Sequence, residues 1–137
     1  MGAFGAIRAA LETGFEGLST TWTKFYEGMI VEPSEGDSFM TSHIMPVSSV
    51  VATIGLDPLI EHQGVYQITL YTPSGTGSGS IFTAADAVNS LFKAGAQFSS
   101  SGVSCRITEC SMGPPTNWNS WYAVPVSIRY RAFTTSP

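Results

Sequence analysis

The chain has 137 residues, enough to bury one continuous core, and reads as a single domain over residues 1–137. Apolar residues make up 43% of it and charged residues 12%, about half the roughly 25% usual in soluble proteins, so neighbouring subunits are expected to cover part of its surface. The net charge is −4 and the six cations, Arg8, Lys24, Lys93, Arg106, Arg129 and Arg131, are scattered, which argues against a dedicated DNA or RNA binder, because clustered Lys and Arg supply that affinity.

Arg8 and Glu12 interrupt the first apolar run and no basic region precedes it, so no signal peptide is expected. Ala6 stands where myristoylation prefers Ser or Thr, and no apolar run approaches the roughly 18 residues of a membrane span. The expectation is a soluble protein made in a cytoplasm, without membrane contact.

Phe4, Ile7, Leu11, Phe15 and Leu18 recur at steps of three and four, which predicts a helix over residues 3–17 with these side chains on one face. The alanines at 3, 6, 9 and 10 add helix propensity, while Gly14 and Gly17 weaken its end. Residues 20–26 are β-branched and aromatic, residues 32–37 are turn-like, and residues 39–47 read as a strand. Another strand is predicted over residues 65–71, where Tyr66, Ile68 and Leu70 alternate with Val65, Gln67, Thr69 and Tyr71. Residues 54–63 form the connection between these two strands.

Residues 74–80 carry Gly75, Gly77 and Gly79 among small polar residues, a flexible loop by composition. A second helix follows, with Ile81, Ala85, Val88, Leu91 and Phe92 on one face, a capping box from Thr83 to Asp86, and Gly95 as its stop. The rest predicts a hairpin, residues 104–110 with 123–133, joined by a long loop over 112–120. In its second arm Val124, Val126, Ile128 and Tyr130 face one way and Ser127, Arg129 and Arg131 the other. Pro125 lacks a ladder donor, so this strand is expected to begin late or to lie at an edge. Cys105 and Cys110 alternate onto opposite faces of the first arm, so no disulfide is expected, and two cysteines without a framework fit a reducing compartment.

Catalytic and cofactor motifs fail on their details. The Gly75-x-Gly77-x-Gly79 run sits between a strand and a helix, where backbone amides can cradle phosphate. A dinucleotide fingerprint, however, needs glycine where Ser80 stands and an acidic residue about 20 positions on, and a Walker loop needs a lysine. His43 and His62 are the two histidines, read as a strand-surface and a loop residue, and with Cys105 and Cys110 they match no usual zinc spacing. Ser78 is flanked by Thr76 and Ser80 rather than by the glycines of a nucleophile elbow, and the carboxylates are dispersed. No catalytic residue, metal or cofactor is expected. Trp118, Trp121 and Tyr122 beside Pro114 and Pro115 form the densest aromatic cluster, which either anchors a partner or covers one end of the protein's own core.

The order of helix, strands, glycine loop, helix and hairpin resembles the tail terminator or tail completion proteins of long-tailed phages, including the lambda-like minor tail protein family. The likeness lies in Gln63-Gly64-Val65-Tyr66-Gln67-Ile68-Thr69-Leu70-Tyr71-Thr72-Pro73, the glycine loop, Ala84-Ala85-Asp86-Ala87-Val88, and the C-terminal Trp121-Tyr122-Ala123-Val124-Pro125-Val126. The resemblance implies an α+β fold, with a mixed or antiparallel sheet of about four or five strands packed on two helices. It further implies a homo-oligomer, a hexameric ring that caps the tail tube protein, ends elongation and presents a surface to the head-proximal connector, or stopper. The other readings are a different head-tail connector or tube-type protein, and a ligand-binding domain using the aromatic loop 114–122. Gly75, Gly77, Gly79, Arg106, Trp118, Trp121, Arg129 and Arg131 are the expected contact residues, with no sequence-specific nucleic-acid binding.

Overall fold

The computed structural model describes residues 2–20, 22–26, 28–29, 38–53, 55, 59–73, 79–118 and 121–134. Helix α1 (Ala3–Glu16) buries Ala3, Ala6, Ile7, Ala10, Leu11 and Phe15, the spacing that one helical face requires. Phe4, expected on that face, is instead 56% exposed and meets the His62 ring edge-on at 5.8 Å. The helix ends at Gly17, and the Lys24 ammonium donates to the carbonyls of Glu16 (3.0 Å) and Leu18 (2.8 Å), placing a cation where unpaired carbonyls collect.

The strands are β1 (Thr23–Phe25), β2 (Phe39–Val51), β3 (Ile60–Pro73), β4 (Gln97–Ser100), β5 (Val103–Met112), β6 (Thr116–Trp118) and β7 (Trp121–Thr134), with α2 (Gly79–Leu91) between β3 and β4. They form one sheet in the order β1-β2-β3-β7-β5-β4, with β6 also paired to β7. The β1–β2 pair is parallel and the others antiparallel, so the sheet is mixed. The α+β expectation holds, but seven strands among the described residues replace the expected four or five. The three additions, β1, β4 and β6, have three or four residues each, too few to display a period of two. Among them β4 pairs with β5 across Ser101 and Gly102, whose φ of 52° and 77° are those of a two-residue hairpin turn.

Both helices pack on one face of the sheet. There Met40, Tyr66, Ile68, Leu70, Cys105, Ile107, Val124, Val126, Ile128 and Tyr130 meet Ile7, Leu11, Phe15, Ile81, Val88 and Phe92 in one core. The capping box does not form. Helix α2 begins at Gly79, four residues before Thr83, so the Thr83 hydroxyl lies inside the helix and donates back to the Gly79 carbonyl at 3.1 Å.

Pro125 also departs from expectation, because β7 lies in the middle of the sheet and starts at Trp121. The pairing of β5 with β7 runs out at Met112↔Val126 and that of β6 begins at Thr116↔Ala123. Pro125 fills that break, its carbonyl accepting from Gly113 N–H at 2.7 Å, so its missing donor falls where no partner strand runs.

A bulge between Ile107 and Glu109 adds one residue to β5, which switches the alternation. Cys105 pairs with Ala132 and Cys110 with Ile128, both core-facing, so the cysteines share a face rather than opposing each other. Both are free thiols, and burial pushes Cys105 up to about 12 and raises Cys110 as well. A disulfide reagent at pH 8 should therefore leave Cys105 untouched in the native protein and modify it only after denaturation. Rapid native modification of both thiols would contradict this packing.

Candidate functional site

The sheet face away from the helices carries the three C-terminal arginines. Alternation along β7 sends Arg129 and Arg131 to that face, and register places Arg106 of β5 directly opposite Arg131. The Nε atoms of Arg129 and Arg131 lie 3.3 Å from carboxylate oxygens of Glu109 and Glu61 respectively. Gln63 on the same face donates its amide to Glu61. The cluster is thus largely charge-paired, a surface for polar contacts rather than for a polyanion.

The aromatic cluster divides between the two faces. Tyr122 packs against the core, while Trp121 points the other way and meets Phe39 edge-on at 5.5 Å. Phe39 stacks on Tyr71 at 4.4 Å and meets Phe25 of β1 at 5.7 Å, so it is 1% exposed although it lies on the outer face. Trp121 therefore serves a small second core that fastens β1 to β2, as well as offering an edge to solvent. Trp118 is opposite Trp121 in the β6–β7 register. Gly79 opens α2, while Gly75 and Gly77 lie outside the described residues.

His43 is exposed on β2, as expected. His62 is not a loop residue: it is 2% exposed within β3, its Nδ1 2.7 Å from the Ser49 hydroxyl and its Nε2 2.8 Å from the Thr134 hydroxyl. Hydroxyls can donate or accept, so both contacts hold whichever role each ring nitrogen takes, and the ring ties β2, β3 and β7 together. Replacing His62 by Ala should cost about 2–3 kcal/mol through the lost hydrogen bonds and the cavity, read as a lower urea midpoint. An unchanged midpoint would remove His62 from the account of this end of the sheet.

No group of three His, Cys, Asp or Glu among the described residues is placed to hold a metal ion. One open cleft of about 550 Å³ is lined, among the described residues, by Ser19, Thr20, Trp22, Ser80, Thr83, Ala84 and Ala87, hydroxyls, two alanines and an indole, with no titratable group among these seven. Another of about 230 Å³ lies between α2 and the end of β5, where Asp86, Asn89 and the poorly ionised Cys110 line it with no histidine to act as base.

The far end of β2 lies beyond the strand boundary that the sequence predicts. After the bulge between Pro46 and Ser48 the strand continues four residues beyond the predicted boundary, and Met45 (37%), Val47 (68%), Val50 (49%) and Val51 (66%) are exposed there. Leu59 and Phe133 are exposed beside it, Phe133 lying in the register row that runs through Glu61 to Val50. A signal was available in the sequence: residues 38–56 contain no Asp, Glu, Lys or Arg.

No helix among the described residues is long and apolar enough to cross a membrane. No curated protein matches the chain in sequence. One solved structure, 24% identical, superposes with a TM-score of 0.75 over 95% of this chain and 95% of that one, a likeness of fold. The profile of the phage tail terminator proteins matches residues 6–130, from the first turn of α1 to the core-facing Tyr130 of β7. With both helices and all the described strands inside or reached by that match, the chain belongs to the phage tail terminator protein family, whose members are structural parts of the virion tail rather than enzymes.

Proposed function

We propose that the protein, as one domain, assembles into a hexameric ring that caps the tail tube protein, ends tail elongation and presents the docking surface for the head-proximal stopper at the tail-neck junction. Family membership supports a tail role, and the exposed apolar end of β2 is the observation that carries assembly. Four exposed apolar side chains within seven residues, with no charged residue among those seven and spread over both faces of the strand end, are area that burial against another subunit stabilises. At the opposite end, Trp121 and the Trp118 position form one contact region. On the outer face Arg106, Arg129 and Arg131 form another, and Gly75 and Gly77, which precede α2 in the sequence, belong to a further contact with a neighbour.

Native mass measurement with imaging tests this reading. A ring in solution, and density at one end only of purified tail tubes incubated with the protein, are the expected results. A persistent monomer at high concentration, with no ring even when tubes are added, would sink it. A ring that binds tubes along their length or leaves their ends bare would identify a tube-type protein or a different connector instead.

A further inference from the structure

We infer that neighbouring copies of this chain join head to tail through the two edges of their sheets, residues 48–51 of β2 in one copy lying beside β4 of the next. The inference rests on the ring reading and names the contact that builds it. Strand β1 covers only Phe39, Met40 and Thr41 of β2, and among the described residues no strand pairs with residues 45–51 on the side away from β3. At the other end of the sheet, β4 pairs with β5 alone among the described strands.

The free backbone groups of β4 follow from its turn. Ser100 and Val103 close a two-residue hairpin and so exchange both hydrogen bonds, as Phe98 and Cys105 then do, and Ala96 likewise turns its carbonyl to Ile107 N–H at 2.8 Å. Gln97 and Ser99 therefore aim their N–H and C=O groups away from β5, toward the open edge.

Edges are ordinarily defended by charge, lysine above all. Neither of these is: residues 45–51 and 97–100 hold no Asp, Glu, Lys or Arg. Past the bulge, β2 offers four residues to an edge strand of four. The bulge and Pro46 mark where pairing begins, since both disrupt a ladder. Pairing β2 with β2 would be isologous, would stop at two copies and would leave both β4 edges bare. Pairing β2 with β4 uses both edges of every copy, and such a heterologous contact closes into a ring when its rotation permits. Val50 shares the outer face with Glu61 and Phe133, and Ser99 shares it with Ser104, so the two side chains would lie on one face of the continuous sheet.

Cross-linking tests the register directly. Val50→Cys and Ser99→Cys chains, mixed and oxidised, should give a disulfide-linked dimer that neither chain gives alone, with the wild-type protein as control for Cys105 and Cys110. Ser99→Pro, which removes an outward donor, and Val50→Lys, which charges the other edge, should each yield a monomer with wild-type circular dichroism. Homotypic cross-linking of Val50→Cys as strong as that of the mixture, or undiminished rings from both edge variants, would overturn edge pairing while leaving the ring intact. A wild-type chain that stays monomeric in the presence of tubes would overturn the ring itself.

Discussion

Gly64→Ala is expected to destabilise the protein by about 3 kcal/mol, near the upper end of what overpacking a core site costs. In an ordinary strand the same change stabilises by roughly 0.5–1 kcal/mol, so the sign of the effect is diagnostic. Gly64 is buried in β3, and a methyl group there would lie 2.6 Å from Cζ of Tyr130, closer still to its hydroxyl oxygen, and 2.8 Å from the Met45 carbonyl. The Tyr130 ring can move a little; the Met45 backbone is held by the ladder of β2 and β3.

The position matters because of what surrounds it. Pro46, Gly64, Tyr130 and Ile107 lie in one register row across β2, β3, β7 and β5, and bulges flank that row on both outer strands, at Val47 and at Thr108. Bulges bend a strand and increase its twist, so the sheet turns at this row, and a glycine at its centre lets the end of the Tyr130 ring come close to the β3 backbone. Thermal melting should show a drop of about 10 °C for a domain of this size. Tyr130→Phe in the Gly64→Ala background relieves the nearest contact and should restore part of the loss. A melting temperature at or above wild type for Gly64→Ala would refute the close packing at this row.

Phe15→Ala should cost about 3–5 kcal/mol, the range for removing a buried aromatic ring. Phe15 has no exposed surface and meets Tyr26 and Tyr66 edge-on at 5.5 and 6.5 Å, joining α1 both to the segment after β1 and to the centre of the sheet. Lys24 sits over its ring at 5.3 Å, and there burial lowers the ammonium's pKa despite the opposing attraction of Glu16. Against a typical total stability of about 5–15 kcal/mol, this loss should leave a large unfolded fraction at 37 °C, measurable by urea titration. Phe15→Leu, which keeps most of the volume, should lose less than half as much. Equal losses for the two would mean that the ring contributes by its edges rather than by filling space.

Both helices, the long central strands and their inward faces were legible in the sequence, because each repeats its period several times. Ile7, Leu11 and Phe15 mark α1, Tyr66, Ile68 and Leu70 mark β3, and Val124, Val126, Ile128 and Tyr130 mark β7, all of them core residues. The failures cluster where a local rule meets a long-range partner. Pro125 reads as an edge residue until the gap between β5 and β6 is seen, and His62 reads as a loop residue until Ser49 and Thr134 close on its ring. Cys105 and Cys110 read as opposed until the bulge at Thr108 turns one of them over.

The expected contact residues divide in the same way. Alternation alone put Arg129 and Arg131 on one outer face, but only the fold brought Glu61 and Glu109 to them and Arg106 alongside. Trp121 and Tyr122 are adjacent in sequence and separate in space, one on each face of the sheet.

From the sequence by itself came the helical and strand periods, the low charge, the missing catalytic motifs and a family likeness resting on the order of the elements. The tertiary structure decided which strands are central, where the sheet bends and which edges no described strand covers. Periodicity is a property of neighbouring residues, written in every turn and every alternate side chain. Register, bulge position and edge exposure depend on which distant segment lies alongside, and no short window of sequence contains both partners.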